Sequence, residues 1–408
     1  MNGHNRYPAE LDGLVKMSNR YGGDARFVLA GGGNSSWKND GALYVKSSGM
    51  SLADINAGGF VGMDRARLRA LMIKDYNRDD DAKREAEVLA DMAVSRLSGY
   101  NALRPSVETL LHDLFPYAYV LHLHPALVNG MTCGARGREI ASDLFGDDAI
   151  WIPEYKPGYE LAKLCANKID IFTKTRGAAP KTIFLQNHGV FVAADTIAEI
   201  DAIYDEIMDK FESRAIIKPA GSFEITSFAC ELAGNARIGA PNPATPSAGC
   251  SPAPRLLRAL PSPPRVILQI SGADVAALIK DEPSRRALDG AFTPDHIVYC
   301  KPRFLFYGGG PAQNAEALFS RAYAAFVQEN RYAPRIICFC GDNTGDGAAY
   351  ACAENEREAE NAAALFIDAV KIAVYSANFG GPRHMSRGLV DFIANWEIET
   401  YRSKVAQK

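Results

Sequence analysis

The sequence predicts an α/β protein in two parts, with helices layered on a sheet in the first and a smaller α/β part after it. Three observations predict this. Short apolar runs rich in Val, Ile, Phe and Tyr alternate with longer stretches of helical periodicity along most of the chain. The alternation breaks once, at GAPNPATPSAGCSPAPRLLRALPSPP (239–264), where proline is too frequent for helix or sheet. Finally, 408 residues are more than one ordinary core holds. The expected division is 1–220, a Pro-rich linker at 221–264, and 265–408.

Within 1–220, helical periodicity marks Asp12–Tyr21, Asp64–Ile73, Asp81–Ser98, Ser106–Leu114 (entered through Pro105), Gly158–Asn167 and Ile197–Ile217. Strands are expected at Phe27–Ala30, Ala42–Val45, Tyr117–His124, Ala149–Ile152 and Thr182–Leu185, the last followed by Val190–Ala194 across an Asn-His-Gly turn. Beyond the linker come VILQI as a strand, a polar helix, and HIVYCKPRFLFYGG as a further strand. An Ala-rich helix near Ala315–Gln328, a strand in RIICFCG, a long helix around Ala353–Ser376 and a last helix near Arg387–Tyr401 follow. The runs Gly308–Gly310 and Gly341–Gly347 read as turns. No GxGxxG follows a strand, so no dinucleotide site is expected.

Composition excludes several classes of function. A formal charge of −3 leaves no electrostatic footprint for nucleic acid or an anionic membrane surface. The polar start MNGHNRYPAELDG lacks a secretory apolar core, and no uninterrupted apolar run reaches the ~18 residues of a membrane span. Eight cysteines are too sparse for a disulfide framework, and the CxC of Cys338 and Cys340 sits in an apolar strand. Cytoplasmic residence is the expectation.

The chemistry gathers in the first part. In VLHLHP, His122 and His124 lie two residues apart on a strand and so share a face. Together with His188 of the NHG turn they could hold Zn²⁺ tetrahedrally with one position open, the arrangement of a catalytic site; another divalent transition metal is the alternative. Glu108, in the first turn of its helix, either serves the helix dipole or returns to the metal as a proton-transfer group. His112 shares its helix face and reads as a supporting histidine. Two donor-rich loops, LAGGGNSSWK and VKSSGMS, bring Gly33, Asn34, Ser35, Ser36, Lys38, Lys46, Ser47, Ser48 and Gly49 into one candidate anion pocket.

The ordered set GGGNSS, KSSG, RPSVETLLH, HLHP, EYKPGYELA and QNHGVFVAA resembles the class II aldolase/adducin family over residues ~25–215. The segments FTPDHIVYCKP, DAVKIAVY, FGG and FIANWEIETYR are similar to the middle region of long rhamnulose-phosphate aldolases, which are often fused to a short-chain dehydrogenase. With the chain ending at Lys408, that dehydrogenase is expected to be absent. The resemblance implies a three-layer α/β/α fold with a mixed or antiparallel central sheet, and a C-terminal domain of unassigned role. It also implies zinc on His122, His124 and His188, with Glu108 as acid/base. Gly33, Asn34, Ser48, Gly49 and Ser106 would hold a substrate phosphate, and Tyr155 would serve the neighbouring subunit's site.

The implied reaction is reversible cleavage of a ketose 1-phosphate, rhamnulose- or fuculose-phosphate-like, to dihydroxyacetone phosphate and an aldehyde. A homo-oligomer, with a tetramer favoured, is expected. Val107 stands where the short aldolases carry a second serine, so one phosphate donor is missing and Lys38 or Lys46 would compensate. A sugar-phosphate epimerase or dehydratase on the same fold, or a non-catalytic adducin-like module, are the alternatives.

Overall fold

A computed structural model of the chain describes residues 7–77, 79–100, 102–229, 253–309, 311–340 and 347–396. Seven strands build the first sheet: β1 (Asn34–Lys38), β2 (Ala42–Lys46), β3 (Phe60–Asp64), β4 (Tyr119–Leu123), β5 (Ala149–Ile152), β6 (Thr182–Leu185) and β7 (Gly189–Ala194). Their order is β3-β2-β1-β4-β7-β6-β5, antiparallel throughout except for the β5–β6 pair. Side chains alternate across β4: Val120 enters one apolar core, Leu121 and Leu123 the other. Helices Glu10–Gly22, Ala126–Thr132, Gly137–Phe145 and Ile197–Arg214 cover the Leu121 face. Helices Arg65–Ile73, Asp81–Val94, Thr109–Leu114 and Tyr159–Arg176 cover the other. This is a three-layer α/β/α sandwich on a mixed sheet.

A second sheet holds β8 (Glu224–Ala229), β9 (Val266–Ser271), β10 (Leu305–Tyr307), β11 (Ile336–Phe339) and β12 (Ala348–Ala353), in the order β10-β11-β12-β9-β8. It is also mixed, because β10 and β11 run parallel. Helix Glu356–Ser376 fills one of its faces and packs on Ala126–Thr132 of the first sandwich, so Ala126 and Cys133 belong to the second unit's core. With the turn that follows it, to Phe379, that helix is long and apolar enough to cross a membrane, with a mean hydropathy of 1.4. The fold uses it as the core helix of the joint instead.

Four expectations need correction. Phe27–Ala30 is a turn, not a strand: Ala30 takes φ 50° and the segment makes one strand-like bond, His124 N to Phe27 O. The donor-rich stretch after the glycines is instead a strand, β1. Part of HIVYCKPRFLFYGG is the helix Pro294–Cys300, because Thr293 precedes a proline at the first turn and Asp295 complements the dipole. Finally, 221–264 is not linker throughout. β8 pairs with β9 over six residues, and Ala253–Arg258 is a helix whose leucines are buried. The Pro-rich core of that span, Gly310, residues 341–346 and the end of the expected last helix lie outside the described residues; its described part is Arg387–Asn395.

Candidate metal centre

β4 lies in the middle of the first sheet, paired to β1 with Asn34 opposite His122 and to β7 with Phe191 opposite His122. His122 is fully buried and stacks on Phe191 with ring centroids 4.0 Å apart. Its Nδ1 donates to the Val190 carbonyl at 3.0 Å, which leaves Nε2 without a proton. His124 follows at the strand end. Its Nδ1 donates to Oδ2 of Asp295 at 2.6 Å, which turns its Nε2 toward His122.

His188 rides the turn between β6 and β7. Asn187, at φ 55°, holds that turn by donating to the carbonyls of Phe292 at 3.1 Å and Arg383 at 2.8 Å. Gly189 must be glycine here, since a Cβ would lie 2.5 Å from the Leu123 carbonyl and 2.7 Å from the His124 ring.

The three Nε2 atoms converge. His122 Nε2 lies 2.9 Å from that of His124 and 3.4 Å from that of His188, and the group could hold a metal ion. A tetrahedral metal with bonds of about 2.0–2.1 Å separates its nitrogens by about 3.3 Å. Oε1 of Glu108 stands at the fourth corner, 3.5 Å from His122 Nε2 and 3.4 Å from His188 Nε2. That oxygen is buried and has no hydrogen-bond partner. With their protons gone, these nitrogens and the carboxylate oxygen would repel one another, and a cation between them would remove the repulsion. The donor set therefore suits a divalent transition metal.

The carboxylate is held from behind. Asn34 Nδ2 donates to Glu108 Oε2 at 2.5 Å, while Asn34 Oδ1 accepts from His112 Nε2. Ser36 Oγ closes the chain at 2.7 Å from His112 Nδ1. Burial holds the His112 imidazole down at about 3, so it is neutral, with one nitrogen to donate and one to accept. Burial acts to raise the Glu108 carboxyl. The facing imidazoles of His122 and His188 and the Asn34 amide act more strongly, and hold it below the usual carboxylate range.

Gly33, Asn34, Lys46, Ser48, Gly49, Ser106, Glu108, His124 and His188 line one narrow pocket, joined by Ser47, Val107 and Pro294. Lys46 knits the two loops together by donating to the carbonyls of Met50 at 2.6 Å and Gly31 at 3.3 Å. Ser106 Oγ accepts from the Glu108 amide at 3.2 Å. The buried Ser47 hydroxyl has no partner and is available to an incoming anion. A roomier cleft of about 910 Å³ lies between Lys74, Arg84, Tyr155 and Lys163, but no histidine lines it.

Three expected pocket residues lie elsewhere, the first being Ser36, which stands behind His112. Ser35 points to the opposite face of β1, where its hydroxyl meets Ser18 at 2.7 Å. Lys38 is buried four residues along the strand and donates to the His112 carbonyl; burial pushes its ammonium down to about 7. Tyr155 is 44% exposed and lines a small cavity that also contains His188. Sequence reasoning missed Asp295. Its only local signal is an acidic residue at the first turn of a helix, in a stretch 171 residues beyond its histidine.

Comparison with known proteins bears on residues 13–205, which match the model described as Class II Aldolase and Adducin N-terminal domain. A Bacillus subtilis (strain 168) protein named as the uncharacterized oxidoreductase YuxG is 29% identical over 198 residues. The match covers 46% of this chain and 27% of that protein, so the chain spans about a quarter of that relative. A class II aldolase domain from Thermoplasma acidophilum superposes with TM-score 0.43 at 26% identity, covering 52% of this chain and 96% of that one. An L-fuculose 1-phosphate aldolase does so with TM-score 0.35 at 16% identity, covering 52% of this chain and 87% of the other. Residues 13–205, just under half of the chain, are thus similar to the Class II Aldolase and Adducin N-terminal domain.

Proposed function

We propose that the protein is a zinc-dependent aldolase that reversibly cleaves a ketose 1-phosphate to dihydroxyacetone phosphate and an aldehyde. The observation that carries this reading is the placement of the unpartnered Glu108 Oε1 among three converging histidine Nε2 atoms, beside loops rich in hydroxyl and amide donors. His122, His124 and His188 would hold the metal. When bound, it would polarise the substrate carbonyl and stabilise the negative charge that bond cleavage delivers there.

The residues of the chain do the rest. Ser47, Ser48, Ser106 and the backbone of the Gly33 and Gly49 turns grip the phosphate and fix the carbon chain, with Lys46 supplying positive charge where Val107 offers no donor. As the C3–C4 bond breaks, the C4 hydroxyl gives up its proton and becomes the aldehyde, and the electron pair passes to the C2–C3 half. Glu108, once it has taken up the proton that leaves the C4 hydroxyl by way of Tyr155, delivers it to C3. In the synthetic direction the same carboxylate, held ionised, removes it. Tyr155 handles the C4 hydroxyl proton.

The test is incubation of the metal-loaded protein with dihydroxyacetone phosphate and a panel of short aldehydes, lactaldehyde and glycolaldehyde among them. A new phosphorylated ketose, seen by phosphorus NMR and mass, is the expected result. No product with any aldehyde, at verified metal occupancy, overturns the reading.

A further inference from the structure

The metal centre is not complete within the aldolase domain. We infer that Asp295, presented by the C-terminal unit, is a positioning residue that aims His124 at the metal, so that metal affinity depends on the docked second domain. This rests on the three-histidine metal reading but not on which sugar is cleaved.

His124 leaves β4 at its end and has no strand neighbour to orient its ring. Asp295 supplies that orientation: Oδ2 takes the Nδ1 proton at 2.6 Å, with the two side chains only 5% and 9% exposed. An acceptor at Nδ1 fixes the tautomer with the lone pair on Nε2, the atom that faces His122 and His188. His122 obtains the same from the Val190 carbonyl of its own domain. His124 depends on a residue 171 positions away.

The surroundings are shaped for this carboxylate. At Gly32 an added Cβ would lie 2.4 Å from Asp295 Oδ2, so the glycine loop is bare where the carboxylate enters. The Tyr299 hydroxyl, on the same helix, accepts from the Gly31 amide at 3.1 Å and seats the helix on that loop. Just upstream, the Phe292 carbonyl accepts from Asn187, the neighbour of His188. One short segment of the C-terminal unit therefore fastens two of the three histidines from outside. The unit otherwise carries no assigned role, and the dependence gives it one.

The experiment measures metal affinity, by competition with a chromogenic chelator, in the full-length wild type and three variants. Outer partners of metal-bound histidines typically contribute 10–100-fold in affinity. Asp295→Ala is expected to lose roughly that much. Asp295→Asn, which keeps a neutral acceptor, should lose less. Tyr299→Phe, which loosens the same helix without touching His124, should stay near wild type. A second readout uses the metal-free wild type: nitrogen-15 NMR should show His124 carrying its proton on Nδ1.

A wild type that binds no metal defeats the metal reading itself. A wild type that binds while folded Asp295→Ala binds equally well defeats this inference, and so does an Nε2–H tautomer at His124. An equal loss in Tyr299→Phe would reassign the effect to general loosening of the domain and also overturn it.

Discussion

Asn34 Nδ2 donates to Oε2 of Glu108 at 2.5 Å, and that bond decides which oxygen of the carboxylate faces the histidines. With Oε2 engaged, Oε1 is left toward the metal corner. Behind Asn34 stands neutral His112, and behind that Ser36, so three side chains on β1 and the Thr109–Leu114 helix set one torsion of a buried acid. Removing the amide by Asn34→Ala is expected to leave the metal in place and lower turnover about 10–100-fold, the usual effect of a supporting partner. Equal loss of metal and rate would show that Asn34 holds the loops rather than the carboxylate.

Glu108→Gln keeps the shape and the Asn34 contact through its amide oxygen but cannot exchange a proton. Its expected outcome is normal folding, retained metal and a loss of roughly 10²–10⁴-fold in rate. Borohydride should leave the wild type active, since charge stabilised by a metal requires no lysine Schiff base, whereas a chelator should stop it. Near-normal turnover in Glu108→Gln would reduce Glu108 to a helix-start residue.

Metal analysis of the purified protein should give one divalent transition metal per chain. Because His122 is fully buried at the centre of the set and His188 sits on a braced turn, neither has a substitute nearby. His122→Ala and His188→Ala should each lose the metal. Full occupancy in both would mean that the ion sits elsewhere.

Lys38 gives a prediction about stability. Burial holds its ammonium at about 7 in the folded chain, against an ordinary 10.5. Between those values the unfolded chain carries a proton that the folded chain does not, so stability rises with pH over that window. The slope is at most about 1.4 kcal/mol per pH unit, and the contribution levels off below about 7, where both states are charged. Urea midpoints measured from pH 6.5 to 10 should therefore climb in the wild type relative to Lys38→Met. Parallel curves would show that Lys38 stays charged inside the sheet.

The reason Lys38 and Ser35 were misplaced by sequence, while Asn34 was not, is the same alternation that made the histidines legible. His122 and His124 could be paired because residues i and i+2 on a strand share a face. NSSWK, read as a loop, is also a strand. Ser35 therefore turns to the far face, and Lys38 lies about 13 Å along the strand from Asn34. Glu108 and the hydroxyls of the two loops were visible as residue types at short spacing. Asp295 was not, because nothing local in a sequence pairs a helix-start carboxylate with a histidine in another domain. Pro294–Cys300 also misled by composition, since Ile, Val and Tyr favour strands until Thr293 and Pro294 start a helix.

The last prediction concerns Tyr155. It lies between Pro153 and Pro157 on the loop from β5 to the helix Tyr159–Arg176, and its ring is 44% exposed, whereas the other described tyrosines are buried or half-buried. The exposure suits a residue that completes a site across a subunit boundary in a closed homo-oligomer. On that reading, Tyr155→Phe and Glu108→Gln chains are each nearly inactive alone. Mixed within one oligomer, they should recover part of the wild-type rate, because some boundaries join an intact Glu108 to an intact Tyr155. The cavity Tyr155 shares with His188 of its own chain gives the contrary outcome its meaning. If verified mixed oligomers stay inactive, Tyr155 works within its own subunit through that cavity, and the site needs no neighbour.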